Sequence, residues 1–317
     1  MKIVLGYRTD ETRLATLRAT YPQVDLVVAS APDVILREIV DADGYYGLPS
    51  REQFRAATKL RWIQAPIAGI EFVQRVPELI ESDVVLTNAR GAHGATVAEH
   101  TFALLLSLTR RLRFFEEARG CHAWLQREGY ENAVGIAGRT MGIVGLGNIG
   151  RAIARRADGF EMRVLGVDAE AVAPDRHVEA VWGLERLPDL LAETDVLTIA
   201  APYTPRTHGM IGEREIRTLK RGSYLLCISR GGIVHEPALI SALEDGHLAG
   251  AGLDVAETEP LPPSNPLWDA PNLVITPHCS NASALTTELT WQIFQENVGH
   301  FVNGEPLRNV TDKRRGY

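Results

Sequence analysis

Four short runs hold the residue types most able to do chemistry. They are Gly145-Leu146-Gly147-Asn148-Ile149-Gly150, Ser229-Arg230-Gly231-Gly232, the acidic run from Asp254 through Glu257 to Glu259, and Thr276-Pro277-His278. Each sits at the end of a short apolar run that reads as a buried strand. The glycine run has the full context of a dinucleotide fingerprint: a strand before it, a helix after it, and Asp168 closing the next strand 18 residues beyond Gly150. Gly145 permits a tight turn, Gly147 lets backbone approach a pyrophosphate, and Gly150 lets helix and strand pack closely. The helix N-terminus then offers free amides to phosphate. Asp168 is placed to accept from the adenosine ribose hydroxyls. A carboxylate there repels the 2′-phosphate of NADP, and Ala169 brings no positive charge, so the pattern favours NAD.

Read alone, the other three runs leave alternatives open. Arg230 is either a solvated surface group or reaches into a cleft, where its planar fork suits a carboxylate. The carboxylates from Asp254 to Glu259 cap a strand, solvate a loop or orient a base. A single histidine such as His278 is more often structural than catalytic. The sharper signal is shared position. Arg230, Glu259 and His278 all lie just beyond carboxyl ends of strands, where open parallel sheets bind ligands. A histidine beside a glutamate has its protonated form stabilised. It is then able to give a proton to a carbonyl oxygen as hydride reaches the carbon.

Placing these runs together requires a sheet, and the rest of the sequence supplies the pattern for one. Strands over Lys2–Leu5, Val24–Val28, Tyr45–Leu48, Trp62–Gln64 and Val84–Thr87 alternate with helices over Asp10–Tyr21 and Pro32–Val40. The alternation resumes from Met141 to Thr276. This predicts an α/β chain with two doubly wound parallel-sheet domains. Thr96–Arg113 reads as one long helix, apolar on more than one face and so buried between two bodies. Leu285–Asn303 reads as a last helix crossing back to the first domain.

With these residues in view, the chain resembles the D-isomer-specific 2-hydroxyacid dehydrogenase family. The glycine run with Asp168, the Arg230 run, the Asp254–Glu259 run and the His278 run carry the likeness, and the helix start Val97-Ala98-Glu99-His100 is a fifth feature. The resemblance implies an NAD-dependent oxidoreductase that reduces a 2-oxo acid to the (R)-2-hydroxy acid. It implies that Arg230 holds the substrate carboxylate and polarises the 2-oxo group. His278 is then the general acid/base, Glu259 its partner, and Asp254 the residue that binds the nicotinamide carboxamide. Backbone amides of the Ala68-Gly69-Ile70 turn hold the substrate carboxylate, and Leu48 lines the pocket. The implied layout is a flavodoxin-like substrate domain from residues 1–95 plus 286–317, with a Rossmann NAD-binding domain, 96–285, inserted. Relatives are usually homodimers joined through the NAD-binding domains, with Trp124 on the corresponding arm. A formate- or phosphite-type dehydrogenase of the same fold is one alternative, and a non-enzymatic NAD(H)-sensing scaffold another.

Three positions depart from the family pattern: Cys227 where many relatives have Asn, the polar Cys279-Ser280-Asn281 after His278, and Glu71 near the Gly69 turn. Composition narrows the rest. The 317 residues are 45% hydrophobic and carry a net charge of −7, which argues against disorder and against nucleic acid or an anionic membrane as partner. Three unclustered cysteines suit a reducing cytoplasm, and the nine histidines show no metal-ligand spacing. The N-terminal apolar run is too short for a signal peptide, and Phe102–Leu108 is too short to span a membrane.

Overall fold

The computed structural model describes residues 1–7 and 9–315. The chain forms two compact units, Met1–His93 with Ser283–Tyr317, and Gly94–Ala282. In the first, strands β1 (Lys2–Leu5), β2 (Asp25–Val28), β3 (Gly44–Tyr46), β4 (Trp62–Gln64) and β5 (Val85–Thr87) make a parallel sheet in the order β2-β1-β3-β4-β5. That is the flavodoxin-like order. Apolar runs such as Ile3-Val4-Leu5 are wholly buried because both faces of the sheet are covered. One face, through Val4, Tyr45 and Ile63, packs against Ile35, Ile39 and Ile70. The other is closed by the helix Ala284–Asn303, whose Phe294 ring stacks on Tyr46 with centroids 4.2 Å apart.

In the second unit β6 (Thr140–Val144), β7 (Arg163–Asp168), β8 (Ala180–Gly183), β9 (Val196–Ile199), β10 (Ser223–Cys227), β11 (Leu248–Leu253) and β12 (Leu273–Ile275) form a parallel sheet ordered β12-β11-β10-β9-β6-β7-β8. The order reverses between β6 and β9, which makes the crevice beyond their carboxyl ends the ligand site of a doubly wound sheet.

Two expectations are corrected. The helix expected over Thr96–Arg113 spans Gly94–Thr109, and a separate helix follows over Leu112–Gly120. Arg111 breaks the run in the left-handed region at φ 55°, where Arg110-Arg111 interrupts the apolar pattern. The first helix is apolar on more than one face because most of it is buried inside the second unit, with Glu99 and Ala103 exposed. It packs on β11 and on the helix Asn148–Gly159. Gly252 allows this, since a Cβ there would lie 3.0 Å from Leu104 Cβ. The edge strand β8 and the helices Arg51–Ala56, Pro77–Glu81 and Gln126–Asn132 were not expected. Each is too short for periodicity to register.

Candidate functional site

The three adjacent strands β10, β11 and β12 bring their following segments to one edge. Asp254 N donates to Cys227 O at 2.9 Å and Thr276 N to Leu253 O at 2.9 Å, so the three strand ends remain in register past the sheet. Arg230 follows β10, and its Nη1 donates to Ser229 O at 2.6 Å. The next residue must be small: a Cβ on Gly231 would lie 1.9 Å from Ala256 O. That close approach sets the arginine loop directly against the segment leading to Glu259. Ala256 N donates to Glu259 Oε1 at 3.1 Å, and Glu259 Oε2 lies 2.7 Å from His278 Nδ1. The His278 and Glu259 side chains are 41% and 37% exposed, so the pair faces open space at the sheet edge.

His278 itself sits at φ 52°, a region that non-glycine residues seldom adopt. Asp254 holds it there. Its carboxylate is wholly buried and accepts from Thr276 Oγ1 at 2.6 Å, Cys279 N at 2.9 Å and Ser280 N at 2.9 Å. The residues on both sides of His278 are therefore tied to one carboxylate.

The glycine run lies at the carboxyl end of β6. Gly145 has φ 93°, and a Cβ there would lie 2.7 Å from the Ala201 backbone after β9. A Cβ on Gly150 would lie 2.0 Å from Gly145 O. Gly147 differs, because no atom lies within 4 Å of its missing Cβ. Its small size leaves room for a group from outside the chain. Gly147 caps the helix Asn148–Gly159 without a side-chain hydrogen bond, so the first-turn amides of Asn148, Ile149 and Gly150 point at that open space. Asp168 closes the site, its Oδ2 accepting from Leu146 N at 2.7 Å and its Oδ1 from Glu170 N at 3.0 Å. Each oxygen keeps an acceptor position for a ribose hydroxyl. Free amides for a pyrophosphate and a fixed carboxylate for a diol fit NAD.

In the first unit the Ala68-Gly69-Ile70 turn follows β4. Asn88 Nδ2 donates to Ala68 O at 2.5 Å, and Ala89 N donates to Ile67 O at 2.9 Å, which pins the turn to the segment after β5. Among the described residues the amides of Ala68, Gly69 and Ile70 donate to no protein acceptor. The Ile70 side chain is buried in the core, so only its backbone is available. Leu48, just past β3, is 39% exposed.

The sequence profile described as D-isomer specific 2-hydroxyacid dehydrogenase, NAD binding domain, matches residues 102–280. The chain belongs to the D-isomer specific 2-hydroxyacid dehydrogenase family. It is similar to a glyoxylate reductase of Korarchaeum cryptofilum, 37% identical over 306 residues that cover 92% of this chain and 90% of that one. It is also similar to a glycerate dehydrogenase of Methylorubrum extorquens, 34% identical over 259 residues that cover 80% and 79% of the two chains. A solved structure of a family member from Aeromonas salmonicida superposes with a TM-score of 0.84 at 31% identity, covering 98% of this chain and 99% of that one. The reaction class of this dehydrogenase is NAD-linked interconversion of 2-oxo and D-2-hydroxy acids.

Two of the departures from the family pattern now have a physical account. Cys227 Sγ donates to Arg230 O at 3.5 Å, so the residue before the arginine loop still braces it. Burial pushes the Cys227 thiol up to about 11, and burial followed by the Asp254 charge raises Cys279. Neither is an activated thiolate. Sequence reasoning missed Asn88, Thr276 and Ala256 as site-building residues. Thr276 stood inside a motif that was singled out for its histidine, and Ala256 acts only through its backbone.

Proposed function

We propose that this dehydrogenase reduces a short 2-oxo acid, glyoxylate or hydroxypyruvate, with NADH. The observation that carries the reading is the Glu259–His278 contact of 2.7 Å at the edge where Arg230 also emerges. The guanidinium of Arg230 binds the substrate carboxylate and polarises the 2-oxo group. Protonated His278 gives its proton to the 2-oxo oxygen, and Glu259 stabilises the imidazolium until then. General acid help of this kind contributes about 10²–10⁴ in rate. NADH, when bound, supplies the hydride for C2. The amides of Asn148, Ile149 and Gly150 and the Asp168 carboxylate hold that cofactor, and the negative charge at Asp168 selects NAD over NADP. Asp254, assigned by resemblance to the nicotinamide carboxamide, also fixes the segment around His278. The free amides of Ala68, Gly69 and Ile70 serve the substrate carboxylate, and Leu48 its side-chain pocket. The names of the two curated relatives support the choice of acid. We assign the first unit as the substrate domain and the second as the NAD-binding domain.

A formate-type reaction needs no proton transfer, and the Glu259–His278 pair would then have no task. The arm Leu112–Asn132 leaves Trp124 91% and Tyr130 83% exposed. Large apolar groups left bare in this way favour burial against a second copy, which supports a homodimer through the second unit. No helix among the described residues is long and apolar enough to cross a membrane, and the unpaired cysteines support a cytoplasmic setting.

The test is absorbance at 340 nm with purified protein, NADH or NADPH, and a panel of 2-oxo acids. NADH loss with glyoxylate or hydroxypyruvate is the expected result. NADH binding without turnover of any 2-oxo acid would overturn the reading.

A further inference from the structure

The Val97-Ala98-Glu99-His100 run has no part in the steps above, yet His100 reaches the segment that carries His278. Its Nε2 lies 2.8 Å from Thr276 Oγ1 and 3.7 Å from Asp254 Oδ1. The proton inventory fixes the direction of the chain. A threonine hydroxyl has one proton. Thr276 Oγ1 gives it to the Asp254 carboxylate at 2.6 Å, because an ionised carboxylate only accepts. The contact with His100 must then take its proton from the ring, so Nε2 carries hydrogen. The result is a relay of donors, His100 Nε2–H to Thr276 Oγ1–H to Asp254 Oδ1. The same carboxylate holds Cys279 N and Ser280 N, and Thr276 O accepts from His278 N at 3.0 Å.

We propose that His100 is a positioning residue for the proton-transfer step, acting through Thr276 and Asp254 to hold the left-handed backbone at His278. The inference rests on the reduction reading above. Asp254 is a wholly buried carboxylate, and it accepts from neutral groups: one hydroxyl and two amides. His100 stands behind the hydroxyl of that set, donating to Thr276 Oγ1, and its side chain is 21% exposed, so the ring can change without opening the core. Loss of its N–H frees Thr276 to rotate. The carboxylate then loses its hydroxyl donor, and the turn that aims His278 at Glu259 loosens.

The test compares His100→Leu, His100→Gln, Thr276→Val and Thr276→Ser with the parent enzyme. The readouts are kcat and KM for glyoxylate, the pH profile of kcat/KM, and NADH affinity by fluorescence. His100→Leu and Thr276→Val are each expected to lower kcat about five- to tenfold, the effect of one lost hydrogen bond. NADH affinity should stay within about twofold, because the glycine run is untouched. The alkaline fall of the reductive profile should move to lower pH as the His278–Glu259 contact weakens. His100→Gln and Thr276→Ser, which keep a donor, should recover most of the rate. A His100→Leu enzyme with parental kcat and pH profile overturns the inference. So does one that loses rate, NADH affinity and thermal stability together with no recovery in His100→Gln, since that is a packing role. A parent enzyme that binds NADH but turns over no 2-oxo acid removes the reduction reading itself, which none of the variant comparisons can do.

Discussion

His278 Nδ1 lies 2.7 Å from Glu259 Oε2, and the two residues follow different strands, β12 and β11. The contact decides how the pH profile responds to substitution. A carboxylate beside imidazolium favours the charged ring, so Glu259→Gln makes the ring give up its proton at lower pH. Reduction needs that proton, and its alkaline fall should therefore move down. Oxidation needs the neutral ring, and its acidic rise should move the same way. Both side chains are more than a third exposed, so solvent screens the pair and the movement should be modest. Rate profiles in both directions read it out. Limbs that stay in place would separate Glu259 from His278 in function.

Asp168 makes a second prediction. Its Oδ2 is bonded to the Leu146 amide inside the glycine run, so the charge is fixed beside the site assigned to the ribose. Asp168→Asn keeps an acceptor for that amide and removes the charge. The ratio of kcat/KM for NADPH to that for NADH should rise about tenfold, equivalent to about 1.4 kcal/mol of relieved repulsion. An unchanged ratio would mean that another residue sets the preference.

The strand ends could be read from residue type because buried parallel strands are continuous apolar runs, and polar residues that interrupt them at a carboxyl end stand out. That logic located Arg230, Glu259, His278 and the glycine run. It failed where the signal is not periodic. Strand β8 is half-buried at every position, so its residues show neither a continuous nor an alternating pattern. The strand-end position of Asp254 left open whether it caps, solvates a loop or orients a base, because its enclosure depends on how the 276–280 segment folds back over it. The break at Arg111 falls where Arg110-Arg111 interrupts the apolar pattern, a signal too short to separate two helices by periodicity. His100 and Thr276 are 176 residues apart, and no spacing rule joins them.

The three cysteines should separate by reaction rate with a thiol-specific disulfide reagent at about pH 8. Cys121 is exposed and should react first. Cys279 is partly exposed with its thiol raised by burial and then by the Asp254 charge, and should react more slowly. Cys227 is buried with its thiol raised to about 11, and should react only after unfolding. A fast-reacting Cys227 in the native enzyme would mean that the strand-end packing around Arg230 opens readily.

Asn297 should be among the most costly residues to replace in the first unit. It is wholly buried on the helix Ala284–Asn303, and its Nδ2 donates to Gln64 Oε1 at 2.8 Å and to Arg308 O at 3.0 Å. Its Oδ1 accepts from Arg308 N at 2.7 Å. Gln64 Oε1 also accepts from Thr87 Oγ1 at 2.8 Å, and Thr87 Oγ1 accepts from Trp62 Nε1 at 2.8 Å. One side chain thus ties the last helix and the segment after it to β4 and β5. Asn297→Leu keeps the branched heavy-atom skeleton with bulkier methyls and leaves the Arg308 amide and carbonyl without a partner, at a cost of about 2–3 kcal/mol. Asn297→Asp keeps the acceptor for Arg308 N, loses both donors and buries a charge, and should cost at least as much. Urea unfolding followed by tryptophan fluorescence should show an earlier transition in both variants, because Trp62 and Trp291 belong to this unit. NADH affinity in the absence of urea should be unchanged, because the residues assigned to the cofactor lie in the other unit. Parental urea midpoints would show that the buried network is not what holds the last helix on the sheet, and would leave that task to the stacking of Phe294 on Tyr46.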